Sequence, residues 1–336
     1  MRILNPSCGF TSEAHGGGAR YEYLFANGMS EKRHLVDTVR YPFRGAGKYP
    51  LAWSTIYPVI ANSLRDNKYD ILRCHSPAYL GPACVLARSR YGIPLVTHVH
   101  HWEPILAPLE KWVLRNSDLV IVDSMFVFRQ IQRAIAGPTP RTCVVYCGVK
   151  EPGPLIGEKM SVNHYYKPVK FAITIGPVIA RKRPLELVEL WSQVAGNPHL
   201  FWIGDGPLHG KAHRLASKLG IDKRVFFVKG LDDAGRDHML RSADLFVFMS
   251  RLEGCPLAVL EAMAAGLPIV ATDQGPMPDI IGHKQAVPEQ DMVRAIEDTL
   301  RDPGQAGYAN RLQWESRHTI SRWLDAIERA YAQVVR

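Results

Sequence analysis

The 336-residue sequence has no run of 18 apolar residues and no cationic leader followed by an apolar segment. A membrane-spanning helix needs about 20 apolar residues, so the reading is a chain with no transmembrane helix and no signal peptide, placed in the cytoplasm. Cysteine is sparse. The six present (Cys8, Cys74, Cys84, Cys143, Cys147, Cys255) are scattered through apolar runs, and no pair with zinc-ligand spacing has a second pair to match. A disulfide framework and a structural zinc site are therefore not expected; buried free thiols in a reducing compartment are. Low-complexity tracts are lacking too, and 46% hydrophobic with 22% charged residues is ordinary for a globular protein of two domains. Acidic residues are short only in the first part. Residues 1–150 carry 18 Lys and Arg against 10 Asp and Glu, whereas the remainder is nearly balanced at 23 against 22. That excess fits an anionic partner or an anionic membrane surface, or simply a basic soluble surface. No nucleic-acid-binding motif accompanies it.

What is present is organised around residues 243–275, ADLFVFMSRLEGCPLAVLEAMAAGLPIVATDQG. Leu245 to Met249 has the length and apolarity of a buried strand. Leu257 to Ala265 is rich in helix formers and is closed by Gly266 and Pro268, and Leu267 to Ala271 is a second strand. Strand, helix and strand at this spacing make one βαβ unit of a parallel sheet. The loop between the first strand and the helix holds Glu253, followed by Gly254, Cys255 and Pro256; Glu261 lies on the helix, seven residues separating the two acids. A helix start presents free N–H groups and a positive dipole end, which suits a phosphate or a hydroxyl-rich ligand. A carboxylate accepts two hydrogen bonds from a vicinal diol, the group that sugars and riboses offer. The bland alternative is a solvated helix face plus a loop acid.

The segment SRLEGCPLAVLEAMAAGLPIVATD resembles the signature of glycosyltransferase family 4, whose members are retaining enzymes. The resemblance implies an α/β protein of GT-B fold: two Rossmann-like, doubly wound parallel-sheet domains facing a cleft, with a C-terminal helix crossing back to the first. The expected divisions are an acceptor domain over 1–150, a linker over 151–168, a donor domain over 169–312 and the returning helix over 313–336. The likeness is strongest over about 170–282 and weaker in the first half.

In that first half, Gly16, Gly17 and Gly18 precede a helical pattern, YEYLFANGM. Glycine there lets the backbone approach a ligand, although the G-x-G-x-x-G spacing of a dinucleotide site is absent. The run is similar to the family's Gly-Gly loop, which implies donor contacts for Gly17 and Gly18; a plain flexible loop is the alternative. Residues 41–58 read as a mobile, acceptor-facing segment. The strand PLVTHVH ends where open α/β sheets bind ligands. The family pattern puts its cleft histidine at His100, with His98 and His101 as alternatives. Trp102 to Leu114 reads as an amphipathic helix bearing Lys111, either core-facing or membrane-facing.

In the second half, Arg181, Lys182 and Arg183 lead into a helix beginning near Pro184. Cations beside a helix start suit a diphosphate. Lys182 matches the family's lysine, but Pro177 stands where its arginine is expected, leaving Arg181 or Arg183 to substitute. HLFWIGDGP is similar to the family in Gly204-Asp205-Gly206, and by analogy the backbone around Lys229 to Leu231 would face the nucleotide base. Asp232 and Asp233 read as a helix N-cap rather than as metal ligands. The Asp-x-Asp metal motif of the other major glycosyltransferase fold is not found, so no metal is expected. Beyond Ile281 the strand expected from the family is missing.

The resemblance thus implies a retaining, metal-independent transferase that moves a hexosyl group from a nucleoside diphosphate sugar, UDP- or GDP-linked, without a cofactor. Its acceptor would be a glycan, a lipid-linked saccharide or a small molecule, in polysaccharide, glycolipid or glycoconjugate synthesis, with peripheral contact at an anionic membrane. Glu253, His100 and Lys182 would act at the reaction centre. Gly17, Gly18, Arg181, Gly204, Gly206, Lys229, Leu231, Gly254, Cys255, Pro256, Leu257 and Glu261 would hold the donor. The alternatives are a non-catalytic nucleotide-sugar-binding protein of the same fold, a sugar-nucleotide epimerase or an inverting transferase.

Overall fold

The computed structural model describes residues 1–7, 17–40, 52–100, 107–135, 137, 140–154, 162–164 and 167–335. The chain divides into two compact units, Met1–Cys147 with Ile320–Arg336, and Gly148–Thr319. Cys8, Gly16, His101 and most of the 41–58 segment lie outside the described residues.

The first unit runs β1 (Arg2–Ser7), α1 (Gly17–Glu31), β2 (Leu35–Arg40), α2 (Ala52–Asp66), β3 (Ile71–Cys74), α3 (Gly81–Tyr91), β4 (Leu95–Val99), α4 (Ala107–Arg115), β5 (Leu119–Val122), α5 (Met125–Ala134) and β6 (Thr142–Val144). Its strands form one sheet in the order β2-β1-β3-β4-β5-β6, all parallel. Chain order reverses at β1, so β1 and β3 flank a topological switch point. Side chains alternate across the sheet, which decides what each face buries. Leu72 and Cys74 of β3 join Leu4 and Leu95 in a core with Ile56 and Ile60 of α2 and Ala83, Cys84 and Ala87 of α3. Arg73, between them in sequence, faces the opposite side and meets Glu22 of α1.

The second unit contains the antiparallel pair β7 (Val162–His164) and β8 (Lys167–Val169), then β9 (Phe171–Ile175), α6 (Pro184–Gln193), β10 (His199–Ile203), α7 (His209–Lys218), β11 (Val225–Val228), α8 (Asp233–Ser242), β12 (Leu245–Phe248), α9 (Leu257–Ala264), β13 (Ile269–Thr272), α10 (Met277–Ile281), β14 (Ala286–Val287), α11 (Met292–Arg301) and α12 (Ala306–Arg317). The six-stranded sheet is again parallel, in the order β11-β10-β9-β12-β13-β14, and its switch point lies between β9 and β12. Trp191 of α6 and Trp202 of β10 anchor one face, with Leu245, Val247, Val270, Met292 and Ile296.

Three details differ from the sequence reading. The strand expected after Ile281 is present but cut to two residues, β14, paired with β13 through Ala271↔Ala286 and Thr272↔Val287. The terminal helix is two helices: α12 stops at Arg317, and α13 (Ile320–Tyr331) follows after His318 and Thr319. Only α13 belongs to the first unit, where Lys32 near the end of α1 pairs with Asp325 and Glu328. Residues 151–154, read as linker, are tied to the second unit by Glu151, which pairs with Arg241 and Arg311. Among the described residues no helix is long and apolar enough to cross a membrane.

Candidate functional site

The switch point of the second unit brings two loops together. One follows β9 and carries Gly176 to Arg183; the other follows β12 and carries Met249 to Pro256. They are joined by main-chain and side-chain bonds: the Arg251 amide donates to the Arg181 carbonyl at 2.9 Å. Glu253 stands at their meeting. Its Oε1 receives Lys182 Nζ at 2.8 Å, an Arg181 guanidinium N–H at 2.5 Å and the Ser250 hydroxyl at 2.5 Å. Lys182 also stands 4.8 Å above the Phe248 ring. Both partners are largely buried, which sets their electrostatics. Burial draws the Lys182 ammonium below its usual value, with Glu253 opposing the shift. Burial alone would raise Glu253, but Lys182 and Arg181 outweigh it and hold the carboxyl below its usual range. Two cations and one anion thus meet at Glu253, in the loop that leads into α9. The helix opens at Leu257 with Pro256 as N-cap, and no side chain caps its first amides.

Glu261 lies one helical turn into α9, buried, with Arg236 Nε of α8 at 3.9 Å from its Oε2. Gly254 and Pro256 are buried, Cys255 is partly buried and Leu257 closes the turn. Cys143 is partly buried as well, so neither of these two thiols fits the expectation of buried cysteines. Arg183 does not join the site. It adopts a left-handed backbone (φ 57°), is buried, and gives its guanidinium to Glu289 at 2.6 and 2.8 Å. Of the two substitutes expected for the arginine missing at Pro177, Arg181 is therefore the one beside Glu253.

Gly204 and Gly206 have a packing reason. Their loop, after β10, lies directly on the loop after β9. A Cβ at Gly204 would stand 2.2 Å from the Gly176 carbonyl oxygen, where φ is also +146°, and a Cβ at Gly206 would stand 2.6 Å from the Val178 oxygen. Both contacts are with backbone, which cannot swing aside. Gly204→Ala should therefore destabilise the second unit by about 1–3 kcal/mol and loosen the loop that carries Lys182. Urea unfolding of the variant checks this; an unchanged midpoint would show that the two loops tolerate separation. Lys229 and Leu231 lie beyond β11. Lys229 Nζ pairs with Asp205 at 2.9 Å, and Leu231 is one of the few large apolar side chains left exposed. Asp232 caps α8, its side chain accepting from the Gly235 amide.

His100, Gly17 and Gly18 belong to the first unit. Gly17 and Gly18 are exposed in the first turn of α1, and a Cβ at Gly17 would meet nothing within 4 Å. His100 sits just past β4. Its Nδ1 is 2.6 Å from Asp123 Oδ2, and its ring meets Tyr21 edge-on at 4.3 Å between centroids. It lines a cavity of about 80 Å³ with His75, Ser76, Tyr79 and Glu110. His98 is fully buried, its two nitrogens within bonding distance of the Tyr21 and Tyr331 hydroxyls, so it is a packed core side chain. Ser250, Arg236 and Asp123 were not legible as site residues. Only Asp123 carried a signal, an acid ending the otherwise apolar strand LVIVD. Among the described residues no group of three or more His, Cys, Asp or Glu is placed to hold a metal ion.

Residues 157–318 match the family model for glycosyl transferases group 1, and residues 13–151 match that for Glycosyltransferase Family 4. The chain is similar to N-acetyl-alpha-D-glucosaminyl L-malate synthase of Bacillus anthracis, 26% identical over 74% of this chain and 68% of that protein. Among solved structures it resembles sucrose-phosphate synthase from Thermosynechococcus elongatus, with a TM-score of 0.86 at 17% identity over 99% of this chain and 98% of that one. It also resembles Anabaena HepE in complex with UDP and glucose, with a TM-score of 0.79 at 16% identity over 99% and 100%.

Proposed function

The chain belongs to the glycosyltransferases of the family 4 and group 1 type and has their GT-B fold, and from that premise we propose that it transfers a hexosyl group, with retention, from a nucleoside diphosphate sugar. The observation that carries this is the junction of Lys182, Arg181 and Glu253 in the two loops at the switch point of the second sheet, one of which leads into α9, whose first amides no side chain caps. As the C1–O bond breaks, charge grows on the departing diphosphate. Fixed cations and amides aimed there stabilise the transition state more than the ground state. Lys182 and Arg181 supply that countercharge, so the reading needs no divalent ion. Glu253 and the amides of Gly254, Cys255 and Leu257 hold the sugar, and Glu261, with Arg236 3.9 Å away, holds the ribose hydroxyls. Gly204, Gly206, Lys229 and Leu231 border the base and phosphates. In the first unit, His100 is the residue that the family resemblance assigns to the reacting sugar, and Gly17 and Gly18 carry its Gly-Gly loop. Without donor, Lys182 and Arg181 both pair with Glu253 and leave one positive charge in excess. The diphosphate then competes for the cations and frees the carboxylate for the sugar.

A UDP-sugar is the first donor to test, since HepE is similar to this chain and binds UDP, with a GDP-sugar second. The acceptor is a glycan, lipid-linked saccharide or small molecule met by the first unit. Trp112, exposed on α4 beside Lys111 and Arg115, supports peripheral contact with the inner face of an anionic membrane. A thermal-shift panel of UDP, GDP, ADP, TDP and their common sugars, on wild type and Glu261→Ala, tests the donor assignment. One nucleotide at 100 times its Kd should stabilise wild type by about 2.7 kcal/mol, and Glu261→Ala should abolish most of the shift. No shift with any nucleotide, or an equal shift in both proteins, counts against the site as drawn.

A further inference from the structure

His100 carries a role in the proposed reaction, and the sheet itself sets its ring. β4 and β5 are neighbours in parallel register, with Val99 opposite Val122. One residue further, His100 and Asp123 leave adjacent strand ends, and parallel neighbours run about 4.8 Å apart. The carboxylate and the imidazole are thus brought together by sheet register, not by chance loop geometry. Asp123 is almost fully buried, and its Oδ2 lies 2.6 Å from His100 Nδ1. Its other oxygen has no hydrogen-bond partner among the described residues. The Tyr21 ring packs against the imidazole at 4.3 Å between centroids and 68° between planes, and its hydroxyl lies within bonding distance of His98.

The geometry points to Asp123 as a positioning residue that fixes the tautomer of His100, so that Nε2 is presented to a substrate hydroxyl as a hydrogen-bond acceptor. The physical reason is the donor and acceptor inventory. An ionised carboxylate can only accept, so the nitrogen facing it must carry the proton. In neutral imidazole the remaining nitrogen then has a free lone pair. That nitrogen belongs to a partly exposed ring lining the cavity with Ser76, Tyr79 and Glu110. A neutral polyol fits this lining, because Ser76 brings a hydroxyl and His100 offers a lone pair rather than an N–H at Nε2. The kinetic arm of the test rests on the transferase reading; the spectroscopic arm does not.

Long-range ¹H–¹⁵N correlation spectra of wild type at pH 8, assigned by loss of signals in His100→Gln, read the tautomer without substrate. The expected result is a protonated Nδ1 and an unprotonated Nε2, with Asp123→Asn shifting population toward the Nε2–H form, because the amide can donate to Nδ1. In turnover, Asp123→Asn should lower kcat about 10–100-fold with little change in donor KM. The same substitution made on His100→Ala should cost nothing further. A wild-type Nε2–H tautomer overturns the assignment, and so does a full loss from Asp123→Asn in the His100→Ala background. If no donor is found at all, the transferase reading fails, while the tautomer result still stands or falls by itself.

Discussion

Lys182→Ala should lower the transfer rate about 10²–10³-fold, the cost of removing one preorganised group from a developing charge. Lys182 is well placed for an effect of this size. It is largely buried, 2.8 Å from Glu253, and backed by the Phe248 ring. A cation held in such a site acts with little screening and needs no reorganisation as the leaving group charges. The loss should fall mostly on kcat, because the diphosphate gains charge only as the bond breaks. Arg181→Ala should cost less, since its side chain is more exposed and solvent screens it. Glu253→Gln should also abolish most transfer, by replacing a carboxylate that only accepts from the sugar hydroxyls with an amide that presents an N–H2 group to them. Steady-state rates with the donor found by thermal shift, with nucleotide affinity measured in parallel, decide this. If Lys182→Ala retained near wild-type kcat, the leaving-group role would be untenable.

The second large effect lies far from that chemistry. Arg73→Met should destabilise the first unit by about 3–5 kcal/mol. Arg73 is fully buried in the middle of β3 and bonds both carboxylate oxygens of Glu22 at 2.7 and 2.8 Å, the Asn5 side chain at 2.8 Å, and the face of Phe25 at 4.0 Å. Removing it leaves a buried carboxylate without its counterion. The further change Glu22→Gln should recover part of the loss, because a neutral amide costs less to bury. The same cluster predicts acid sensitivity. Burial raises the Glu22 carboxyl, but Arg73 outweighs it and brings it from 4.5 down to about 2. A depressed acid contributes stability that is present above 4.5 and lost as pH falls toward 2. His75, buried beside it, is pushed down from 6.5 to about 4, chiefly by burial. The fold favours neutral His75, so its contribution is complete above pH 6.5 and lost as pH falls toward 4. Each shift corresponds to a loss on the order of 3 kcal/mol. Urea series followed by hydrogen exchange of the β3 peptide should show stability falling first between pH 6.5 and 4, then again below 4.5. A flat profile from pH 7 to 4 would remove His75 from the account, and a loss under 1 kcal/mol in Arg73→Met would remove the ion pair.

Much of the fold was legible because it depends on local pattern. Apolar strand runs such as FAITI and LVIV, and helices bounded by Pro184 or Gly92, show their type in a few residues. The misreadings fell where local pattern is weak. Two residues of β14 are too few to show a period, and their pairing with β13 makes them a strand. The break at His318 and Thr319 interrupts an amphipathic pattern that runs on through it, and the division of the two helices between units marks it.

Sequence alone determined the class of protein: the Glu253 and Glu261 spacing, the cation run at Arg181 to Arg183, and the alternation of strands and helices are all short-range. Tertiary structure alone decided which charges meet. Arg181 and Arg183 are near neighbours in a cationic loop, yet the left-handed turn at Arg183 sends its guanidinium to Glu289 while Arg181 reaches Glu253. Gly204 looked like a ligand contact, and its immediate reason is the Gly176 backbone against it. Asp123 and His100 are 23 residues apart and meet only because β4 and β5 pair in one register. Propensity and periodicity are properties of neighbouring residues, whereas ion pairing and tautomer choice are set by atoms that only strand order brings within bonding distance.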